Sequence, residues 1–192
     1  MFSQPANVIV FTGNGKGKTT SALGLAVAAA MQQQNAAVVQ FLKGGGYTGE
    51  LFAARYLKPY FTIRQFGYGC PLASDIKAGT QKCNKCGICF RENRNPANGY
   101  APEALLYAQR IVADGDVKLL VLDEISHALK HQLIPESSVL ELLAVKPANM
   151  IVVLTGRNMP DSILKLADRV TVCQAVKHPM SGGIDARRGT EY

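Results

Sequence analysis

The segment Gly13-Asn14-Gly15-Lys16-Gly17-Lys18-Thr19-Thr20 follows directly on the apolar run Val8-Ile9-Val10-Phe11. A strand that must turn at once through a glycine-rich loop into a helix leaves few folds open. This order is the one a phosphate-binding loop needs. Glycines let backbone N–H groups converge on one anion, and the first helical turn presents further unpaired donors to it. At this spacing Lys18 adds a point charge on the phosphates and the Thr19 hydroxyl can ligate a magnesium ion. Lys16 makes the loop unusually basic. The strict pattern has a glycine where this chain has Thr12. A plain glycine turn would require neither two lysines nor two threonines at these positions. Gly13, Asn14, Gly15, Lys16, Gly17, Lys18, Thr19 and Thr20 are therefore the candidate nucleotide-binding residues.

The rest of the chain continues the same rhythm of apolar runs and helical segments, which predicts an α/β fold with a mostly parallel sheet flanked by helices. Strands are expected at 8–11, 37–42, 61–66, 119–122, 150–154 and 170–173. Helices are expected at 19–33, 51–57, 102–113, 135–143 and 161–167, several opening on Pro or a capping residue. The length of 192 residues fits a single domain, 1–192. The segment 67–99, rich in Gly, Cys, Asn and Lys, is too long for an ordinary loop and reads as a cysteine-rich insertion or a lid. Neither a leader-like start nor a stretch approaching the roughly 20 apolar residues of a membrane helix is present, so a cytoplasmic protein without membrane attachment is expected. A formal charge of +7 favours a polyanionic partner.

A second nucleotide signal lies in Lys118-Leu119-Leu120-Val121-Leu122-Asp123-Glu124, a buried strand ending in two acids. Beside a phosphate loop, such a strand delivers a carboxylate to the magnesium at the carboxyl end of the sheet. Asp123 and Glu124 are thus candidate metal ligands together with Thr19. Arg157 follows another apolar strand and either reaches the same edge or is a solvated loop arginine. His127 and His131, four apart, can share a helix face. His178 suits a structural or nucleotide-contact role better than metal ligation. Lys177, Arg187 and Arg188 either help hold polyphosphate or form a solvated basic tail.

Cys83-Asn84-Lys85-Cys86-Gly87-Ile88-Cys89 is a Cys-x2-Cys-x2-Cys run, and Cys70-Pro71 can supply a fourth thiolate. Four thiolates suit tetrahedral zinc or an iron–sulfur cluster such as [4Fe-4S], with lone thiols as the remaining reading. A reducing cytoplasm disfavours disulfides. Cys173, in an apolar strand, is expected in the core.

The ordered set of motifs resembles the ATP:corrinoid adenosyltransferase family almost end to end. It comprises Phe11 to Thr20, Val39-Gln40-Phe41-Leu42-Lys43-Gly44, Val121 to Glu124, Leu154-Thr155-Gly156-Arg157, Leu166-Ala167-Asp168, Val176-Lys177-His178 and the tail from Gly183 to Tyr192. The resemblance implies a P-loop NTPase sheet of the RecA-like type, usually homodimeric, that binds ATP with magnesium or manganese beside a corrinoid. It also implies that Co(I) attacks the 5′ carbon of ATP and expels tripolyphosphate, with the nucleotide held in reverse of the ordinary NTPase direction. Lys18 and Glu124 are then the catalytic candidates, and a reductase or other electron-donor protein is a further partner.

Two departures stand out. Where the family has a Gly-Phe-Thr-Trp segment that helps displace the lower cobalt ligand, this chain has Gly67-Tyr68-Gly69-Cys70 and contains no Trp. Tyr68 can stand for the first aromatic on the corrinoid side, but Cys70 cannot stack as indole does. The amino-terminal extension that covers the corrinoid is also nearly absent. The competing readings are a thymidine-kinase-like nucleoside kinase with a zinc lobe and an ATP-dependent nucleic-acid-binding module. The adenosyltransferase motifs disfavour the first. Dispersed basic residues without aromatic interleaving disfavour the second.

Overall fold

The computed structural model describes residues 7–45, 48–84 and 86–177. Six parallel strands, β1 (Val8–Thr12), β2 (Ala36–Phe41), β3 (Phe61–Phe66), β4 (Leu119–Asp123), β5 (Ile151–Thr155) and β6 (Arg169–Val172), form one sheet in the order β3-β2-β4-β5-β1-β6. The central strands are apolar on both faces because helices cover both sides, as parallel sheets require. Side chains alternate between two cores. Val8, Val10, Leu120, Leu122, Val152 and Leu154 pack on one face, under α5 (Tyr100–Asp114) and α7 (Glu136–Val145). Ile9, Phe11, Leu119, Val121 and Val153 pack on the other, against Ala22, Ala26, Ala29 and Ala30 of α1 (Lys18–Met31). That row of alanines gives α1 a smooth face that can lie close to the sheet.

The expected strands all occur, shifted by no more than a residue or so at each end. The expected helices occur as α1, α2 (Gly49–Tyr56), α5, α7 and α8 (Asp161–Leu166). Additional short helices were not expected from the pattern: α3 (Ala73–Ala78), α4 (Ile88–Arg94) and a 3₁₀ turn (Pro96–Asn98) lie within 67–99, and α6 (Ile125–Lys130) follows β4. Each is under two turns, too short to display an apolar period.

One expectation fails. Cys173 lies just past β6 and is only half-buried, because β6 is the sheet edge and all four of its residues are exposed. What holds β6 in place is its own ladder to β1 together with Asp168. The Asp168 carboxylate accepts hydrogen bonds from the backbone N–H of Asn7 (3.0 Å) and Val8 (2.8 Å). Asp168, a member of the Leu-Ala-Asp motif, thus fastens the sheet edge to the start of the central strand.

Candidate active site

The loop from β1 to α1 sits at the carboxyl end of the sheet, beside a point where the chain's course reverses. From β1 the chain crosses to β2 on one side, whereas β5 leads to β6 on the other. Ligands of open α/β sheets collect at such crevices. Lys18 is the first residue of α1 and is only 6% exposed. Its ammonium donates to the carbonyls of Gly13 (2.8 Å) and Gly15 (2.7 Å), curling the loop around it. Burial holds its pKa below the ordinary lysine value, with Glu124 pulling the other way. The loop is also pinned from outside, since the Gly15 N–H donates to the Cys173 carbonyl at 2.7 Å. A Cβ on Gly15 would lie 2.7 Å from the Gln174 carbonyl oxygen, so only glycine permits this approach.

Asp123 closes β4 and is fully buried. One carboxylate oxygen accepts from the hydroxyls of Thr19 and Thr155, both at 2.7 Å. The other accepts from the Gln40 amide at 2.9 Å and lies 3.6 Å from the Lys43 ammonium. Gln65 donates to the Gln40 carbonyl oxygen at 2.8 Å. The network therefore runs across the carboxyl ends of β3, β2, β4 and β5 to the first turn of α1. A buried carboxylate so fully satisfied is fixed in place. Lys43 also pairs with Glu50 at 3.1 Å. Burial alone would lower the Lys43 pKa, but Asp123, Glu50 and Glu124 outweigh it and hold the ammonium above its usual range. Burial likewise opposes ionisation of Glu50, and Lys43 overrides it to hold that carboxyl low.

Glu124 has a different environment one residue later. Its backbone is left-handed, φ 60°, and its N–H donates to the Thr155 hydroxyl at 3.0 Å. The sharp turn sends Asp123 inward and leaves the Glu124 side chain 34% exposed. Non-glycine residues hold this conformation only where the surroundings impose it. Burial and then the neighbouring Asp123 raise the Glu124 pKa, against Lys18, Lys43 and Arg157. Thr19, Asp123 and Glu124 bring only oxygen atoms to this edge, the donor chemistry that hard divalent cations prefer, but both Asp123 oxygens are already engaged by Thr19, Thr155 and Gln40. Among the described residues, no group of three His, Cys, Asp or Glu side chains is arranged to hold a metal ion.

Of the other candidates, Asn14, Lys16 and Thr20 are exposed on the loop and first turn of α1. Arg157 is exposed just beyond β5, and its charge acts on both Lys18 and Glu124. Its carbonyl accepts from the Ser126 hydroxyl at 2.8 Å. His127 and His131 stack with ring centroids 5.1 Å apart. Burial first, then Arg94, lowers the pKa of both. Tyr68 is half-buried beyond β3, on the wall of a cavity that it shares with Cys70, Cys83, Cys86 and Cys89. Lys177 is exposed, and His178, Arg187 and Arg188 lie outside the described residues. Gln40, Lys43, Glu50 and Thr155 carry no expected role from sequence, yet they complete the network around Asp123. Gln40 did leave a signal: it is the one polar side chain in the buried run Ala36 to Phe41.

A parallel sheet with a phosphate loop after β1, an acid at the end of β4 and a strand between them defines a P-loop nucleotide-binding protein of the NTPase class. Comparison with known proteins narrows this further. The chain belongs to the ATP:corrinoid adenosyltransferase family BtuR/CobO/CobP, whose model matches residues 4–192. It is 33% identical over 185 residues to the corrinoid adenosyltransferase of Escherichia coli K12, covering 96% of this chain and 85% of the relative. The corrinoid adenosyltransferase CobA of Salmonella typhimurium LT2 gives the same identity and coverage. The Pseudomonas aeruginosa corrinoid adenosyltransferase is also 33% identical, over 96% of this chain and 83% of its own length.

Proposed function

We propose that this chain transfers the 5′-deoxyadenosyl group of ATP to the Co(I) of a corrinoid and releases tripolyphosphate. The observation that carries the reading is the family match over residues 4–192, which sides with adenosyl transfer over a nucleoside kinase. The cobalt lone pair forms the Co–C5′ bond, and the C5′–O bond breaks with its electrons leaving on the triphosphate. Co(I) is so strong a nucleophile that no general base is required. The demand on the protein is to hold a highly charged leaving group.

The site suits that demand. Lys18 can exchange its bonds to the Gly13 and Gly15 carbonyls for phosphate oxygens, while the loop N–H groups and the start of α1 face the same anion. Lys16 and Arg157 add charge at the rim. Thr19, held by Asp123, together with Glu124 would bind magnesium or manganese, which supplies charge neutralisation on the polyphosphate. Asp123 acts as a positioning residue, since its oxygens are already occupied by Thr19, Thr155 and Gln40. Tyr68 lies on the corrinoid side. The family resemblance supports a homodimer and a protein that delivers the electron producing Co(I). Sedimentation of the purified chain tests the former.

The decisive experiment supplies ATP and a chemically reduced corrinoid. The expected products are a light-sensitive Co–C species and an equal amount of tripolyphosphate. ADP formed at the same rate without any Co–C product overturns the reading in favour of a kinase or ATPase.

A further inference from the structure

Four of the five cysteines stand around one cavity of about 680 Å³, lined by residues 68, 70–73 and 76 and by residues 82–84 and 86–90. Cys70, Cys83, Cys86 and Cys89 share its wall with Leu72, Ile76, Ile88 and Phe90. Cys70 and Cys89 are half-buried, whereas Cys83 and Cys86 are exposed. Thiols placed only to fill space belong in a core, and no cysteine of this group lies in either core cluster.

One side of the cavity is anchored. Asn93 accepts from the Tyr68 N–H at 2.7 Å and donates to the Tyr68 carbonyl at 3.1 Å. Cys89 precedes Asn93 by four residues in α4, one helical turn away on the same face. Cys70 follows Tyr68 by two residues. The clamp thus fixes Cys70 and Cys89 relative to each other. It also ties them to the nucleotide edge, because Gly69 packs directly on Gly45, where a Cβ would lie 2.2 Å from the Gly45 nitrogen. The remaining pair, Cys83 and Cys86, sits on the exposed limb that precedes α4.

We propose that Cys70, Cys83, Cys86 and Cys89 bind an iron–sulfur cluster of the four-thiolate class. Three cysteines at two-residue spacing and a remote Cys-Pro form a ligand set of that class. The spacing favours a cluster over a single zinc ion, because three cysteines in one Cys-x2-Cys-x2-Cys run with a remote Cys-Pro follow the ferredoxin-like pattern and not the paired Cys-x2-4-Cys pattern of structural zinc. Tetrahedral zinc draws its four sulfurs to about 2.3 Å from one point. All four cysteines line one cavity, but among the described residues they are not gathered closely enough to hold an ion, so loading would draw the exposed Cys83 and Cys86 toward the anchored Cys70 and Cys89. The apolar lining of the cavity would keep water from the inner side of the cluster, while the exposed Cys83 and Cys86 leave the outer side open to air.

The test is metal and sulfide analysis of the full-length protein purified without oxygen, before and after incubation with ferrous iron and sulfide, with absorbance and paramagnetic resonance spectra. About four iron and four sulfide per chain, with a brown colour that bleaches in air, is the expected result. Cys83→Ser and Cys86→Ser change exposed residues and should fold, yet should hold less than half the iron. Cys173→Ser, away from the cavity, should match the wild type. Colourless protein carrying one zinc per chain, or protein that takes up no iron, overturns the proposal. None of these readouts depends on adenosyl transfer, so the two assignments fail separately.

Discussion

At the scale of single residues, two side chains carry separable predictions. Lys18 sits inside its own loop, so Lys18→Ala removes both a phosphate charge and the bonds to Gly13 and Gly15. Turnover should fall on the order of 10²-fold or more, with ATP binding weakened and the circular dichroism spectrum unchanged. Near-normal turnover in folded protein would remove Lys18 from the site. Glu124 makes the opposite kind of case. Its folded pKa lies above the unfolded value, so the protonated carboxyl favours the folded state. That advantage is lost as pH rises from the ordinary carboxylate range through the raised folded value, leaving ionised Glu124 a net cost at neutral pH. Glu124→Gln should therefore raise the unfolding midpoint of nucleotide-free protein at pH 7, and the gain should shrink as pH falls into the ordinary carboxylate range. The same variant should lose metal-dependent turnover. Greater stability with lower activity marks a functional carboxylate, and a midpoint that drops at pH 7 would contradict it. Unchanged metal dependence would move the role to Asp123.

At the scale of elements, the informative contact is between α4 and the end of β3. Asn93 satisfies both the N–H and the carbonyl of Tyr68, which no other described contact does. Asn93→Ala leaves those two backbone groups without their partners, a loss of roughly 0.5–1.5 kcal/mol for each hydrogen bond. The effect should be regional. The corrinoid KM should rise several-fold and residues 67–95 should lose hydrogen-exchange protection, while ATP affinity stays near wild type because the phosphate loop lies on β1 and α1. A uniform loss of both affinities would show that α4 supports the entire carboxyl edge. The short helices α3 and α4 are where sequence reading was weakest. Six or seven residues hold too few turns for a period to register, no described residue of either helix is buried, and their contacts with Gly45 and Gly67 are distant in sequence.

At the scale of the whole molecule, the sheet itself sets the site. Leu122 is fully buried in β4, one residue before Asp123, and packs in the core beneath α5. Leu122→Ala should cost about 2–5 kcal/mol in denaturant unfolding. Because the cavity, on the opposite face of β4, loosens the backbone one residue before the acid, turnover should fall further than the unfolded fraction explains. A loss of activity fully accounted for by unfolding would show that Asp123 is held by its polar partners alone.

Much of this was legible in the chain. Buried parallel strands read as near-continuous apolar runs, which is why β1, β2, β4 and β5 stood out. The edge strands β3 and β6 were legible from shorter apolar patches among exposed residues. The phosphate loop is a local device whose glycines and lysines must be adjacent. The acid at the end of β4 was legible for the same local reason. Other features required the folded molecule. Sequence could not divide the labour between Asp123 and Glu124, because it depends on a left-handed turn and on Thr155, Gln40 and Thr19 arriving from three other elements. The exposure of Cys173 followed from β6 being the sheet edge, a matter of strand order. The gathering of Cys70 with Cys83, Cys86 and Cys89 around one cavity likewise rests on the Asn93 clamp, a contact across 25 residues. Local chemistry determined the class of site; long-range pairing decided which side chains are buried, which face the ligand and which share a wall.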